Sequence, residues 1–220
     1  MPSATDFRQQ FVEFAIEQNA LCFGDFKTKA GRQSPYFFNS GLFSDGSALA
    51  GLTRFYARAA LAAGIEFDML FGPAYKGITL AAGMAIALAD MGRNVGFAFN
   101  RKEAKDHGEG GLIVGTPLKG RVLIIDDVIS DGASKRESVE MIRSAGATPA
   151  GVLIALDRQE VGAVAGTKHS ASQEFNRNTG VPVIAVATLA DIIDYLQQQP
   201  GEHDKLEKIE RYRQQYGATL

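Results

Sequence analysis

The sequence predicts an α/β protein whose central sheet is mostly parallel and is covered by helices on both faces. Short apolar segments of strand type alternate along the chain with longer segments of helical periodicity. This alternation is the repeat that builds parallel sheets, which bind ligands beyond the carboxyl ends of their strands. The predicted strands span residues 67–71, 95–99, 122–125, 152–156 and 183–186, and the helices between them span residues 78–91 and 135–144.

The chain begins with a predicted amphipathic helix. Phe7, Phe11 and Phe14 share one face of this helix, and Thr5 or Asp6 can cap its start. Three aromatic side chains on one face indicate packing against a hydrophobic core. A functional aromatic stripe is the weaker interpretation.

Two end regions do not fit the strand and helix repeat. One is the region of about residues 1–65, which contains a second predicted helix at residues 49–63, and the other is the helical C-terminal tail that includes residues 205–216. We expect them to form a small hood over the edge of the sheet. Residues 1–220 are then a single domain with a core of about residues 66–190, which is long enough to bury a substantial hydrophobic interior.

Composition excludes several classes of protein. The chain is 45% hydrophobic and has a formal charge of -2, so it has no global attraction for nucleic acid or an anionic membrane surface. The single cysteine, Cys22, rules out an intramolecular disulfide and indicates a small buried hydrophobe. No stretch is long enough to span a bilayer, and the N-terminus does not resemble a leader sequence, so cytoplasmic localisation is expected.

The run from Val122 to Ser134 is the most informative segment of the chain. Residues 122–125 predict a strand buried on both faces, and Asp126 and Asp127 follow where it ends. Residues 130–134 then predict a tight turn that opens a helix, whose backbone N–H groups and positive dipole end suit a phosphate. The two acids would repel that phosphate, but they can accept hydrogen bonds from vicinal hydroxyls or act on a metal through water. This combination predicts a site for a ribose 5-phosphate.

Two other loops at the same edge of the sheet carry cations. Residues 72–77 form a glycine-bounded loop in which Lys76 enters a helix, an arrangement that suits a diphosphate. Residues 100–111 are too polar and too rich in glycine to be core, and a solvated loop is the alternative to a mobile lid that excludes water. The lid would carry a cluster of cationic and titratable side chains: Arg101, Lys102, Lys105 and His107. Nothing has metal-ligand spacing, so His107 is predicted to be an anion contact or proton donor.

The run of residues 122–134 resembles the signature of the type I phosphoribosyltransferases, which hold 5-phosphoribosyl 1-diphosphate. Two other segments narrow the resemblance to the orotate phosphoribosyltransferase family: Ser-Pro-Tyr-Phe-Phe-Asn at residues 34–39, and Arg-Lys-Glu-Ala-Lys-Asp-His-Gly at residues 101–108. Together with Tyr75-Lys76, these motifs span most of the chain in the family's order. The resemblance implies the type I phosphoribosyltransferase fold.

The resemblance also implies a reaction, a cofactor and partners. A magnesium-dependent transfer of ribose 5-phosphate from 5-phosphoribosyl 1-diphosphate to orotate would give orotidine 5'-monophosphate and diphosphate, in pyrimidine biosynthesis leading to UMP. Mg²⁺ would be held mainly by the donor's diphosphate and water, with no direct protein ligand. A homodimer in which the lid of one subunit completes the site of the other would be usual for the family.

Family roles can be carried over to matching residues of this chain. The implied catalytic residues are Lys102, Lys105, His107 and Arg101. The implied substrate-binding residues are Lys27, Phe37, Phe38, Tyr75, Lys76, Asp126, Asp127, Val128, Ile129, Ser130, Asp131, Gly132, Ala133, Ser134 and Arg158. Among them, Lys27 would lie near the diphosphate, Phe37 and Phe38 near the base, and Arg158 would face orotate, while core packing is the alternative for the aromatic rings.

The phosphate turn departs from the family pattern. It has Ser-Asp-Gly-Ala-Ser at residues 130–134 where the family more often has Thr-Ala-Gly-Thr. Asp131 therefore adds an acid near a dianion, and we expect it to point away or to cap the helix, which would tune donor affinity.

Two other functions compete with this prediction. A phosphoribosyltransferase for another base would share the donor site, but residues 36–39 and the cationic lid argue against it. A non-catalytic regulator that senses the donor would need a nucleic-acid-binding module and a basic face, which the sequence does not supply.

Overall fold

A computed structural model describes residues 4–28, 31–105, 111–130, 132–162 and 166–219, apart from the side chains of residues 4–6, 104 and 105. The helices are α1 (Ala4–Glu17), α2 (Gly46–Ala62), α3 (Lys76–Asp90), α4 (Ala133–Ser144), α5 (Ala171–Thr179), α6 (Leu189–Gln198) and α7 (His203–Tyr216). The strands are β1 (Leu21–Lys27), β2 (Gln33–Phe38), β3 (Met69–Gly72), β4 (Gly96–Lys105), β5 (Gly111–Gly115), β6 (Arg121–Ile125), β7 (Thr148–Asp157) and β8 (Val183–Thr188).

The central sheet has six strands in the order β5-β4-β3-β6-β7-β8. Neighbouring strands run parallel except for β5, which lies antiparallel to β4 at one edge. All five predicted strands are present, and helices follow β3, β6 and β8, as a repeating β-α unit requires. The predicted α/β class and the mostly parallel sheet are therefore confirmed.

Alternating side chains of the central strands divide the hydrophobic core between the two faces of the sheet. Leu70, Leu123 and Ile125 pack on the face that also receives α1, α2 and α3, whereas Phe71 and Ile124 pack on the opposite face. All five side chains are fully buried. Continuous apolar runs are what such two-sided burial requires, and this explains why the sequence identified these strands.

The N-terminal region forms a second, two-stranded sheet in which β1 and β2 run antiparallel. The sequence pattern predicts no strand here, because β1 contains a bulge between Phe23 and Phe26 that interrupts the alternation of its side chains. The aromatic face of α1 is buried as predicted, with Phe11 only 1% exposed. Arg8 of α1 also forms an ion pair of 3.2 Å with Asp191 of α6. The exact boundaries of hood and core stay a prediction.

The predicted lid is not a loop throughout. β4 continues to Lys105, and Lys105 lies opposite Gly111 in the antiparallel pair with β5, so residues 100–105 of the predicted lid are strand, and the alternative of a solvated loop over all of residues 100–111 was wrong. An antiparallel ribbon can leave its sides in water, so polar residues do not prevent strand formation there. The tip, residues 106–110, lies outside the described residues.

The order of the strands creates a crevice between β3 and β6. From β3 the chain moves outward to β4 on one side, and it later returns to β6 on the other side of β3. Such a reversal opens a cleft at the carboxyl ends of the two strands. The loops approach closely there, because a Cβ atom on Gly77 would lie 2.7 Å from the carbonyl oxygen of Ile125. No helix among the described residues has the length and apolar character needed to cross a membrane.

Candidate active site

Lys76 and Asp127 meet in the crevice between β3 and β6. Lys76 begins α3, and its Nζ atom lies 2.7 Å from Oδ2 of Asp127, which follows β6 by two residues. Ser40 from the hood joins them, because its Oγ donates to the same Oδ2 over 2.8 Å and lies 3.1 Å from Nζ of Lys76. Three separate segments of the chain therefore converge on one carboxylate oxygen.

The environment of Asp127 keeps it ionised at neutral pH. Burial alone would raise its pKa, but hydrogen bonds from Lys76 and Ser40 outweigh burial and hold the pKa below its ordinary value. The remaining oxygen, Oδ1, accepts from the backbone N–H of Val128 over 2.8 Å. Asp127 is thus a fixed negative charge beside a lysine whose side chain is 55% exposed.

Asp126 has a different environment from its neighbour. It is buried and forms an ion pair with Lys135 of α4, which is also buried. Burial raises the pKa of Asp126 above its ordinary value, and Lys135 opposes this rise. Its Oδ1 accepts from the N–H of Asp127 over 2.9 Å, and the hydroxyl of Tyr56 donates to its carbonyl oxygen over 2.8 Å. Asp126 is therefore anchored in the core below the loop.

The predicted phosphate loop leads directly into α4. Val128 and Ile129 are half-buried, whereas Ser130 is exposed. Gly132 lies at the start of α4 with φ 72°, and a Cβ atom there would lie 3.3 Å from the ring of Phe175. A residue with a side chain would be strained in this position. Ala133 and Ser134 form the first turn, and Asp131 lies outside the described residues.

The first part of the predicted lid contacts the loop after β3. The side chain of Asn100 accepts from the N–H of Ala74 over 2.9 Å, and Nζ of Lys102 lies 4.9 Å from the ring centroid of Tyr75. Arg101 donates to the carbonyl oxygen of Gly111 over 3.2 Å. A cavity of about 420 Å³ opens between these two segments and the first turns of α4. The side chain of Lys105 and all of His107 lie outside the described residues.

Arg158 lies one residue beyond the end of β7 and points toward the hood. Its guanidinium lies 4.2 Å from the ring centroid of Tyr36, donates to Glu160 over 2.7 Å through Nε, and donates to Ser34 over 2.9 Å through Nη2. Burial would lower the pKa of Arg158, but Tyr36 and Glu160 outweigh burial and raise it. Arg158 is therefore a fixed cation between the sheet and the hood.

The hood residues predicted to bind substrate occupy different environments. Phe37 is 45% exposed, and its ring stacks on Phe26 at a centroid distance of 5.5 Å. Phe38 is half-buried, and its ring centroid lies 6.5 Å from that of Phe11 in the hood core. Lys27 is exposed at the end of β1, and among the described residues it forms no hydrogen bond or ion pair with the Lys76 and Asp127 cluster. The structure thus brings Lys76 and Asp127 together but leaves Lys27 apart from them.

Sequence reasoning missed several residues that shape this site. They are Ser34, Ser40, Tyr56, Lys135 and Glu160. The sequence did contain a signal for Lys135. It lies in the first turn of the helix that follows Asp126 and Asp127, and a buried acid needs a partner of opposite charge. Glu160, only two residues after Arg158, was a signal for an ion pair. No sequence signal links Ser40 to Asp127, which lies 87 residues further along the chain.

The carboxylates of this site fit a metal that is reached through water. No group of three His, Cys, Asp or Glu residues able to hold a metal occurs in the described part of the chain. Both carboxylate oxygens of Asp127 and both of Asp126 already have protein partners. This donor set suits Mg²⁺ that keeps several waters and takes its other ligands from a phosphorylated substrate.

Comparison with known proteins identifies the family. The model of the phosphoribosyl transferase domain family matches residues 45–164. A protein of Thiobacillus denitrificans named orotate phosphoribosyltransferase is 60% identical over 214 residues, which cover 97% of this chain and 100% of that protein. A protein of the same name from Cupriavidus necator is 58% identical over 222 residues, covering 99% and 97% of the two chains.

A solved structure agrees with these matches. The crystal structure of an orotate phosphoribosyltransferase from Francisella tularensis superposes with a TM-score of 0.86 and 38% identity, and the match covers 95% of this chain and 100% of that one. The predicted type I phosphoribosyltransferase fold is confirmed. The chain therefore belongs to the orotate phosphoribosyltransferase family.

Proposed function

We propose that this protein transfers ribose 5-phosphate from 5-phosphoribosyl 1-diphosphate to orotate, which yields orotidine 5'-monophosphate and diphosphate in the route to UMP. The observation that carries the proposal is the contact of Lys76 with Asp127 at the switch point of the sheet. A cation suited to a diphosphate and an acid suited to ribose hydroxyls meet there, and they match the two adjoining parts of the donor.

The surrounding segments can receive the rest of the donor. The start of α4, at Gly132, presents backbone N–H groups and a positive dipole end to a 5'-phosphate. Asp127 would accept hydrogen bonds from the ribose hydroxyls, while Asp126 supports the loop from below through Lys135. Arg101 and Lys102 lie at the far side of the cavity, where they can approach the diphosphate.

Binding of the donor can involve a local exchange of partners. Because Lys76 and Ser40 already occupy Oδ2 of Asp127, a ribose hydroxyl that binds this oxygen displaces one of them, whereas Oδ1 has only the N–H of Val128 as a partner. We propose that the exposed ammonium of Lys76 turns from Asp127 to the diphosphate as the donor enters. The ammonium then keeps a partner of opposite sign, and Asp127 keeps hydrogen-bond donors in Ser40 and the ribose hydroxyl, which limits the cost of the exchange.

Transfer breaks the bond between ribose C1' and the diphosphate oxygen and forms a bond between C1' and the orotate nitrogen, whose proton passes to the departing diphosphate or to water. Positive charge develops on the ribose and negative charge on the diphosphate, so Lys76, Arg101, Lys102 and Lys105 would stabilise the departing diphosphate. Bound Mg²⁺ would supply further charge neutralisation at that diphosphate. His107 would assist the leaving group, and closure of the lid would exclude water, which would otherwise hydrolyse the activated ribose.

The hood would bind the base. Arg158 can form a directional pair with a carbonyl or carboxylate of orotate. Phe37 presents an exposed aromatic ring for a planar base.

We further propose a homodimer in which each lid completes the partner's site. Exposed apolar side chains at Leu61, Ile86 and Met91 support an interface on the outer face of α2 and α3. Mixing Lys105→Ala protein with Asp127→Asn protein under exchange conditions, and assaying at a donor concentration well below the dissociation constant of the Asp127→Asn protein, tests the sharing. If lids act across the dimer, hybrids contain one intact site and recover activity. Continued inactivity of proven hybrids would assign each lid to its own subunit.

Release of diphosphate tests the proposed reaction. Purified protein with 5-phosphoribosyl 1-diphosphate, orotate and Mg²⁺ should release diphosphate and orotidine 5'-monophosphate in equal amounts. Replacing Mg²⁺ with a chelator should abolish release. Equal release with and without orotate would indicate hydrolysis of the donor and would contradict the proposal.

Asp127→Asn should weaken donor binding by about 10- to 100-fold, because a hydrogen bond to a charged group contributes about 1.5–3 kcal/mol. The dissociation constant of 5-phosphoribosyl 1-diphosphate, measured by calorimetry, checks this value. Asp90→Asn is the matched control, since Asp90 is an exposed acid at the far end of α3. Unaltered donor affinity in Asp127→Asn would remove Asp127 from the donor site.

A further inference from the structure

The guanidinium of Arg158 contacts several neighbouring side chains. A guanidinium has five N–H donors. Nε donates to Glu160, and Nη2 contacts both Glu160, at 2.6 Å, and Ser34, at 2.9 Å. The ring of Tyr36 lies against the guanidinium and is fully buried. Nε and Nη2 are thus engaged on one side of the fork, and the hydroxyl of Tyr212 also lies beside the guanidinium.

Glu160 is itself fixed by a second arginine. Its Oε2 lies 3.3 Å from Nη1 of Arg32, while its Oε1 receives Arg158 and lies 3.4 Å from the hydroxyl of Tyr36. The side chain of Glu160 is only 12% exposed. Arg32 also donates to the carbonyl oxygen of Val161 over 3.0 Å. One carboxylate therefore joins the hood, through Arg32 and Tyr36, to the loop that carries Arg158.

The C-terminal segment, residues 216–219, holds the backbone around Glu160. The N–H of Val161 donates to the carbonyl oxygen of Tyr216 over 2.9 Å, and the N–H of Ala218 donates to that of Gln159 over 2.8 Å. Gln159 has φ 51°, a left-handed conformation that is uncommon outside glycine, so the pairing on both sides of Glu160 secures a bent loop. The ring of Tyr216 also lies 5.1 Å from the guanidinium of Arg32.

We propose that Glu160 and the C-terminal segment are positioning elements that fix the guanidinium of Arg158 for the base. This inference rests on the proposed function, in which Arg158 contacts orotate. Glu160 acts through Arg158 and does not touch the base. Loss of Glu160 would let the guanidinium rotate, so each binding event would have to restore its orientation. The affinity for the base should therefore fall. The affinity for the donor, which binds in the crevice between β3 and β6, should not change.

Glu160→Gln tests the proposal with little change of shape. The Michaelis constant for orotate should rise about tenfold, as expected for loss of a charge-assisted hydrogen bond, and that for the donor should stay within about twofold of wild type. Glu66→Gln is the matched control, because Glu66 pairs with Arg121 at the opposite, amino-terminal edge of the sheet. The proposal would be overturned by an unchanged Michaelis constant for orotate, or by equal rises in the Michaelis constants for both substrates.

A double-mutant cycle shows whether Glu160 acts through Arg158. Arg158→Ala alone should raise the constant for orotate, and adding Glu160→Gln to it should produce no further rise. Independent, multiplicative effects would overturn the positioning role. If wild type consumes orotate but Arg158→Ala has no effect, both the role of Arg158 and this inference fail. If Arg158→Ala impairs orotate binding and Glu160→Gln does not, only the inference fails.

Removal of residues 216–220 tests the C-terminal contribution. The truncated protein should reproduce the selective rise in the constant for orotate, and thermal unfolding with and without donor should show that the donor still stabilises it. A truncated protein with wild-type orotate kinetics would overturn the role of the segment. Loss of the donor's stabilising effect would indicate general damage and would also count against it.

Discussion

Replacing Lys135 with methionine is expected to lower the free energy of unfolding by about 3–5 kcal/mol, the usual cost of removing one partner from a buried ion pair. Both Lys135 and Asp126 are buried, at 6% and 7% exposure, so water does not replace the lost ammonium. Methionine keeps most of the volume, so packing is largely preserved. Urea unfolding of the two proteins measures the difference.

The pH dependence of the unfolding free energy distinguishes the loss of the Lys135 charge from a loss of packing. Without Lys135 the pKa of Asp126 should rise further, because the largest opposition to burial is then lost. When folding raises the pKa of an acid, the ionised form of that acid destabilises the folded state at pH values above the raised pKa. The destabilisation disappears at lower pH, where the acid is protonated. The deficit of Lys135→Met should therefore be largest at neutral pH and should shrink as pH falls. A deficit independent of pH would contradict the electrostatic explanation.

A control for Lys135→Met is available on the same helix. Glu140→Gln breaks the exposed pair of Glu140 with Arg143, whose oxygen and nitrogen lie 3.5 Å apart. Exposed pairs contribute at most about 1 kcal/mol, so this variant should unfold close to wild type. A similar loss in both variants would mean that α4 tolerates no substitution and that burial of the pair is irrelevant.

Lys105→Ala is expected to lower kcat about 100-fold or more while changing donor affinity little. Removal of one group that stabilises charge in the transition state typically costs about 2.7–4 kcal/mol, and each 1.4 kcal/mol corresponds to about tenfold in rate. The negative charge on the diphosphate grows as its bond to ribose breaks, so the lysine contributes more to the transition state than to the ground state. Steady-state turnover and donor calorimetry together measure the two effects.

Lys119→Ala controls for the removal of a positive charge. Lys119 is exposed in the connection between β5 and β6, beyond the amino-terminal end of β6 and away from the crevice. Its turnover should match wild type. Wild-type turnover in Lys105→Ala would remove Lys105 from catalysis, and a raised donor dissociation constant with unchanged kcat would assign it to binding alone.

The sequence predicted the parts of this protein that depend on local pattern. Val122 to Ile125 is a fully buried apolar run, and such runs occur where both faces of a strand are covered. The two acids and the small-residue turn after it are contiguous, so their functional meaning needed no knowledge of tertiary contacts. The position of Lys76 beside Asp127 followed from the same rule, since both lie after neighbouring parallel strands.

Features that depend on distant contacts were not predictable in the same way. β1 was missed because a bulge interrupts the alternation of its side chains, and β2 was missed because three consecutive aromatic residues, 36–38, hide its alternation. The pairing of β4 with β5 was missed because a solvated ribbon has no apolar face. Ser40 reaches Asp127 only through folding of the hood. The different charge environments of Asp126 and Asp127 arise from Lys135 and Lys76, and the order of the residues in the chain does not reveal which acid each lysine will meet.

The most direct test of the central claim is the initial rate with four bases at saturating 5-phosphoribosyl 1-diphosphate and Mg²⁺. Loss of orotate absorbance is followed in one reaction, and adenine, hypoxanthine and uracil are assayed in parallel. We expect turnover with orotate and no measurable nucleotide from the other three bases. Turnover of another base in place of orotate would contradict the assignment of Arg158 and the hood. Donor binding without turnover of any base would contradict catalysis and favour a donor-sensing regulator.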